Sequence, residues 1–489
     1  MTRHATIPSA VLASAVLVAC QTIPVVVATA PVRPPYLPSI RELALADTVA
    51  ERTFRWFWET TDSTTGLAHD RWPTRDFSSV ASIGFALTAY PIGAEREWIT
   101  RTQAAARTLT TLRYLWLLPQ GLNRVNTSGY QGFFYHFLRY QNGRRFREVE
   151  LSTVDTSLLL GGVLFAQSYY VGSDGTEVAI RAYADSIYRR VDWRWASVRA
   201  PLVSMGWRPE SGFIDADWKG YNEAMIVYIL GLGSPTYPLD VKSWAAWSST
   251  NVWRSYRGQT HANFSPLFGH QYSHVWIDFR GIQDPWIRAK GIDWFENSRR
   301  ATLSQRQYAI DNPRGFTGYG ANIWGLSASD GPTDSTVTIN GRAVQMHTYW
   351  ARGVSDDGDP GGSERDDGTV TPTAAIGSLP FAPEVVFPAM VAMRERNDRR
   401  LFGRYGFHDS FNPSVTMSFA PEMGSIDPTL GWVAGDQLGI DQGPIVAMIE
   451  NYRSGLVWKT MRTNPYIVTG LRRAGFTGGW LDSASAVSR

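Results

Sequence analysis

From residue 40 onward, apolar positions recur at helical spacing through most of the chain. In residues 40–58, Leu43, Val49, Phe54, Phe57 and Trp58 fall among charges in the pattern of a helix with one buried face. Thr100 followed three positions later by Gln103 forms a capping-box signature, and it predicts a helix through Leu117 with Leu109, Leu112, Leu115 and Trp116 inside. The same spacing predicts helices over 80–90, 154–170, 177–190, 222–232, 295–310, 383–396, 444–461 and 465–474. Segments 154–165 and 224–232 are apolar nearly all round, so these helices are expected to be buried on two sides, as in the inner ring of a double helical toroid.

Two Asn-Gly dipeptides interrupt the helices. Asn142-Gly143 predicts a hairpin between 135–141 and 144–150, with positive φ at both turn residues, and Asn340-Gly341 predicts a second between Val337, Ile339 and Val344, Met346. The acidic, glycine-rich stretch 356–367 has carboxylates at calcium-like density without the ordered calcium-loop pattern, and is expected to be a mobile surface insertion. Neither an internal linker nor a simple repeat divides the body. One domain over 39–482 with a short tail at 483–489 is the economical organisation.

The first residues follow another pattern. Arg3 and His4 precede an apolar run from Ile7 to Val18, shorter than the roughly 20 residues a spanning helix needs but suited to an export signal. The run ends in Leu17-Val18-Ala19-Cys20, which resembles a bacterial lipobox, and Cys20 is the only cysteine. A lone thiol cannot staple its own fold, so acylation is its expected use; a cleaved soluble precursor is the alternative. Residues 1–19 are therefore expected to be a lipoprotein signal, and 20–38, with Pro24, Pro31, Pro34, Pro35 and Pro38, a tether. The location implied is exported and membrane-anchored, periplasmic or cell-surface.

Composition narrows the chemistry. Across 489 residues, 44% are hydrophobic and 19% charged, a globular balance. The net charge of +3 comes from basic residues scattered among acidic ones, which argues against nucleic acid as a partner. The 20 Trp, 21 Tyr and 22 Phe supply flat faces that suit both cores and sugar rings. Carboxylates, amides, histidines and glycines gather at predicted loop-to-helix junctions: Glu150 and Asp155; Tyr221 and Glu223; His270, Gln271, Tyr272, His274 and Trp276; His408 and Asp409; Asp441 and Gln442. Glycosidic cleavage needs two such carboxyls, one to protonate the leaving oxygen and one to activate water or attack.

Ordered blocks then carry a resemblance. Residues 54–481 resemble the bacterial glucoamylase-like domain family that includes the endo-β-1,2-glucanases of glycoside hydrolase family 144. The blocks are Phe77-Ser78-Ser79-Val80 through Phe85, Gly132-Phe133-Phe134-Tyr135-His136-Phe137, Glu150-Leu151-Ser152-Thr153-Val154-Asp155-Thr156, Tyr221 through Met225, Gly269 through Asp284, and Asp441 through Trp458. The resemblance implies an all-α (α/α)6 toroid, inverting endo-hydrolysis of β-1,2-glucan to sophoro-oligosaccharides, and no metal or other cofactor. By motif, Glu223 looks like the general acid and Asp409 the general base, with Asp441 competing for the second role. Glu150 and Asp155 resemble acidic pocket residues. His270, Gln271 and His274 are expected to hydrogen-bond sugar, and Trp218, Tyr221, Tyr272 and Trp276 to stack on it.

Each assignment has a plainer rival. Glu223 sits where a helix start favours acids, Asp409 where a carboxylate would cap the turn before Asn412-Pro413, and Asp155 where backbone donors would satisfy it. His270, His274 and Asp278 recur every four residues, a metal-like spacing set aside in favour of sugar contacts. Transglycosylation, exo-action on another glucan and non-catalytic glycan binding remain the alternative functions.

Overall fold

Six helices are buried along nearly their whole length: Val80–Glu95, Thr153–Tyr169, Met225–Gly233, Tyr272–Trp276, Pro372–Ile376 and Gly439–Arg453. The computed structural model describes residues 1–2, 36–358, 364–396 and 398–484. Cys20, the apolar run before it and the prolines through Pro35 lie outside the described residues, as do 359–363 and 485–489. By contacts, Met1–Leu37 form one unit and Pro38–Arg489 another; everything below concerns the second.

The buried helices touch in cyclic order. Val80–Glu95 packs on Thr153–Tyr169, which meets Met225–Gly233; that helix meets Tyr272–Trp276, which meets Gly439–Arg453, and this last returns to Val80–Glu95. Pro372–Ile376 packs on Gly439–Arg453, and the Gln271 side-chain amide donates to the Ala374 carbonyl and the Ser378 hydroxyl, both at 2.8 Å. Helices with an exposed face cover these: Ile40–Thr60 on Gly439–Arg453, Arg101–Leu117 on Val80–Glu95, Gly175–Arg189 on Thr153–Tyr169 and Pro465–Arg473 on Met225–Gly233. The fold is mostly helical, with only short strands.

Small residues let the inner helices close up. A Cβ on Gly84 would stand 2.3 Å from the Leu158 carbonyl oxygen, and one on Gly162 would stand 2.0 Å from the Gly84 oxygen, so the two backbones run in direct contact. The expected capping box forms at Thr100 with Gln103, and a second, not anticipated, forms at Ser39 with Glu42.

Several boundaries depart from expectation for local reasons. The predicted 444–461 helix is two, Gly439–Arg453 and Leu456–Met461, parted at Gly455 with φ 69°. Its early start puts Asp441 in the first turn. The helix expected from 222 begins at Met225, because the Asn222 side chain accepts from the Ala224 N–H and holds a turn instead. The second hairpin forms as expected, with Asn340 and Gly341 at φ 50° and 76°. In the first, Gly143 alone takes positive φ, and Phe137–Arg139 pairs with Phe77–Ser79. Arg147, at φ 49°, bends the returning limb out of strand geometry.

Short strands sit at the entrances of the buried helices. Phe77–Ser79 runs into Val80–Glu95, Leu151–Ser152 into Thr153–Tyr169, and Gln437–Leu438 into Gly439–Arg453. Arg71–Trp72 pairs with Gln437–Leu438. The pairing gathers polar side chains from distant parts of the chain at the helix starts.

Candidate active site

Asp409 and Asp441 form a buried carboxyl pair. Asp441 comes from the first turn of Gly439–Arg453 and Asp409 from the segment between the strands Gly406–Phe407 and Phe411–Asn412. Neither Asp441 oxygen nor Asp409 Oδ1 has a hydrogen-bond partner among the described residues, and each carboxyl shifts the titration of the other. Two buried carboxyls that feel each other resist ionising together, so the pair favours holding one proton. Burial and then the Asp409 charge push Asp441 well above the ordinary carboxyl range, making it the protonated member. Burial raises Asp409 too, but Asp441 and the Asp330 N–H, which donates to Oδ2 at 2.6 Å, favour its ionised form. Its carboxylate thus reaches across to Asp330 rather than capping the turn at Asn412, where the Asn412 side chain itself accepts from Ser414.

Asp330 is held in turn. Arg71 Nη1 donates to both of its oxygens at 3.1 Å and also pairs with Asp70. Burial, with help from the Asp409 charge, pushes Asp330 up to about 7 against the pull of Arg71. Its strand, Ala328–Asp330, is fixed by Arg352, fully buried, which grips Asp367 at 2.7 and 2.8 Å and donates to the Ser329 carbonyl at 2.7 Å.

Glu223 lies two residues ahead of the Met225–Gly233 helix, with Oε2 buried and unpartnered. Burial, with a smaller push from Asp155, raises it to about 7, outweighing any lowering by the helix start. Asp155 accepts from the Ser152 hydroxyl at 2.5 Å, and its Oδ1 is 3.4 Å from His136 Nε2. The other His136 nitrogen meets Glu150 at 2.9 Å. Burial works against a charge on His136, but Asp155 and Glu150 override it and lift the ring to about 9. Burial likewise works upward on Glu150, yet His136 and Arg208 hold it down to about 2.

Tyr272 ties these groups together. It is 4% exposed, and after burial its hydroxyl is raised by Asp441, Tyr349, Glu223 and Asp155. One side chain therefore feels both the carboxyl pair and Glu223. Tyr349 is 49% exposed, and its hydroxyl sits in the field of Asp441, Asp409, Asp70 and Asp330.

The remaining expected sugar contacts need correction. Trp276 is fully buried, stacked on Phe85, with its indole N–H on Thr88 at 2.9 Å. Tyr221 stacks on Trp294 in the core, and the Trp218 indole donates to Thr153 at 2.8 Å. His270 and His274 are buried against the Phe264 carbonyl and the Ser298 hydroxyl, and burial holds both well below the usual imidazole range. Gln271 is spent on Ala374 and Ser378, and Asp278 on Arg280 and Arg462. An all-polar stretch beside glycines reads as a ligand surface, but here it builds the turn and short helix between buried helices. The loop reading changes as well: Asp366 accepts from Tyr308 and Tyr319, and Asp367 is the buried partner of Arg352.

Sequence reasoning missed Arg71, Asp330, His136 and Tyr349. His136 stood inside a recognised block; the others lie in strands of two or three residues, too short for any periodicity to mark them.

Comparison with known proteins adds a second line of observation. Residues 215–465 match the family described as putative glucoamylase. A solved structure of a putative glucoamylase from Bacteroides uniformis is 32% identical, covers 91% of this chain and all of its own, and superposes with a TM-score of 0.77. The endo-β-1,2-glucanase of Chitinophaga pinensis, solved with sophorotriose and glucose, is 26% identical over 90% of this chain and all of its own, with a TM-score of 0.76. The exo β-1,2-glucooligosaccharide sophorohydrolase (non-reducing end) of Parabacteroides distasonis is 27% identical over 463 residues, 88% of this chain; the chain spans 57% of that relative's length.

Proposed function

The chain belongs to the putative glucoamylase family, and from that premise we propose that it is a glycoside hydrolase cleaving β-1,2-glucan with inversion. The observation that carries the reading is a set of buried carboxyls left without donors, Glu223 Oε2 and both Asp441 oxygens, with burial raising Glu223 to about 7 and Asp441 well above the ordinary carboxyl range. Glu223 holds a proton to near pH 7 and donates it to the leaving glycosidic oxygen. Asp409 accepts the proton of the attacking water, directly or through a substrate hydroxyl or further water. Asp441 stays protonated and orients Asp409. Arg71 and Asp330 fix the pair from behind, while His136, charged beside Glu150, keeps that carboxylate ionised.

We read the cyclic order of helix contacts as the inner ring of an (α/α)6 toroid, with the helix starts at the mouth of its cavity. Endo-cleavage to sophoro-oligosaccharides is the first reading of the product, supported by the Chitinophaga relative. The Parabacteroides relative supports a second, release of sophorose from a chain end. We further propose that the enzyme is exported and held to a membrane through lipidated Cys20.

Purified protein offered β-1,2-, β-1,3-, β-1,4- and α-linked glucans is expected to cleave the first, with the new end appearing first as the opposite anomer by NMR. Retained configuration would overturn the mechanism, and cleavage of another glucan alone would discard the substrate. A spread of oligosaccharide lengths early in the reaction marks endo-action; sophorose from the outset marks exo-action.

A further inference from the structure

Away from the carboxyl groups, a surface cavity of about 310 Å³ is lined by eight residues, and five of them are arginines: Arg124, Arg139, Arg144, Arg145 and Arg147. Arg145 is matched to Glu210 by bonds of 2.7 and 3.0 Å. The other four make no salt bridge among the described residues. Arg139 donates to the Arg145 carbonyl at 3.3 Å, Arg147 lies over the Phe146 ring, and Arg144 Nη1 is buried with no acceptor. Clustered guanidiniums repel one another unless an anion joins them. Arg147 is moreover held at φ 49°, a left-handed conformation that an arginine adopts only at a cost, and such costs concentrate at binding sites.

The cavity is connected to the carboxyl groups by three short pieces of chain. The strand Phe137–Arg139 begins beside His136; Arg147 is three residues from Glu150; and Glu210, the partner of Arg145, is two residues from Arg208, which pairs with Glu150 at 3.4 Å. Three residues of chain reach at most roughly 10 Å, so the cavity lies within that distance of Glu150 along the backbone, a span that a chain-like ligand can bridge.

We propose that this cavity is an anion subsite at the rim of the cleft and that it takes a phosphate-class group carried on the glucan; the ligand assignment rests on the glycan-hydrolase reading above. One guanidinium satisfies one carboxylate, as Arg145 does with Glu210, whereas several converging guanidiniums suit a multiply charged oxyanion with acceptors on all sides. No aromatic residue lines the cavity, so it offers a neutral sugar ring no stacking face.

Calorimetry on the Glu223→Gln protein tests this with three probes: pyrophosphate, neutral β-1,2-linked oligosaccharides, and the same oligosaccharides carrying a chemically added terminal phosphate. The phosphorylated chains are expected to bind at least tenfold more tightly than the neutral ones, and pyrophosphate to bind with an affinity that falls steeply with salt. Adding Arg124→Gln and Arg147→Gln together, with the melting temperature checked, is expected to abolish both effects and leave neutral-chain binding unchanged. Equal affinity for phosphorylated and neutral chains, or pyrophosphate binding that survives the double variant, overturns the proposal. Capture of phosphatidylglycerol vesicles without any gain for phosphorylated chains reassigns the site to lipid headgroups and refutes the glucan-borne ligand. Pyrophosphate binding with no oligosaccharide bound at all refutes the glycan reading itself, and the glucan-borne ligand with it.

Discussion

A side chain proposed to deliver a proton near neutral pH has to be kept uncharged there, and burial does this for Glu223 at a cost in fold stability. Its folded value of about 7 lies above the ordinary 4.5, so the folded state holds a proton that the unfolded chain releases between those two values. The stabilising proton is fully bound in both states below pH 4.5; as pH rises to 7 the folded state loses ground, by on the order of 3 kcal/mol in all. Glu223→Gln is therefore expected to lower kcat by about two to four orders of magnitude while raising the melting temperature relative to wild type at pH 8 and leaving it nearly unchanged at pH 4. Wild-type activity should fall above pH 7. A variant that gains nothing at pH 8 refutes the burial argument. The carboxyl pair yields a second prediction. Asp409→Asn removes the base and should lose as much kcat as Glu223→Gln. Asp441→Asn still donates a hydrogen bond to Asp409 without competing for a charge, so it should lose less and move the acidic limb of the pH–rate profile to lower pH. Near-normal rates for Asp409→Asn with collapse for Asp441→Asn would transfer the base role to Asp441. Glu223 and Asp441 stood out in the sequence because they lie in ordered blocks beside glycines near helix starts, and Asp409 because it follows Gly406 in a looser match. Arg71 was not, because its partner Asp330 is 259 residues away and no local pattern announces that pairing. His270 and Trp276 misled for the opposite reason: local composition suggests a surface, and only the surrounding helices reveal that the stretch is enclosed.

At the scale of elements, the contact between Val80–Glu95 and Thr153–Tyr169 depends on having no side chain at two positions. Alanine is the better helix former by up to about 1 kcal/mol, so an exposed Gly→Ala change inside a helix usually stabilises. At Gly84 the new Cβ would meet the Leu158 backbone oxygen at 2.3 Å, and a backbone carbonyl in a buried helix cannot swing aside as a flexible side chain would. Overpacking costs typically about 1–3 kcal/mol, which outweighs the propensity gain, so Gly84→Ala should lower the urea midpoint measurably. Gly175, which begins Gly175–Arg189 with nothing within 4 Å of its would-be Cβ, is the control; Gly175→Ala should be neutral or slightly stabilising. Equal effects at both positions would contradict the close-packing account. The same helices explain what the sequence could convey about the fold. Apolar character nearly all round marked 154–165 and 224–232 as buried, and the Thr100–Gln103 signature set a helix start that the structure keeps. Breaks such as Gly455 and the turn at Asn222 were overlooked because hydrophobic periodicity continues through them while the backbone does not.

On the scale of the whole molecule, the proposed lipid anchor makes its own prediction. Among the described residues no helix is long and apolar enough to cross a membrane. The anchor proposed above rests on the Leu17-Val18-Ala19-Cys20 box, whose cysteine is the one thiol in the sequence. Residues 20–38 carry five prolines, the composition of a tether. One acyl chain binds membranes only marginally, whereas several anchor stably, so wild-type protein should remain in the membrane fraction after a high-salt wash that strips electrostatically bound proteins. Cys20→Ser should move the protein to the soluble fraction or leave it unprocessed, with activity per molecule on soluble β-1,2-glucan unchanged, because the anchor takes no part in the chemistry. Identical fractionation of the two forms would sink the anchor, and a loss of specific activity in the released form would mean that the N-terminal segment contributes to the cleft.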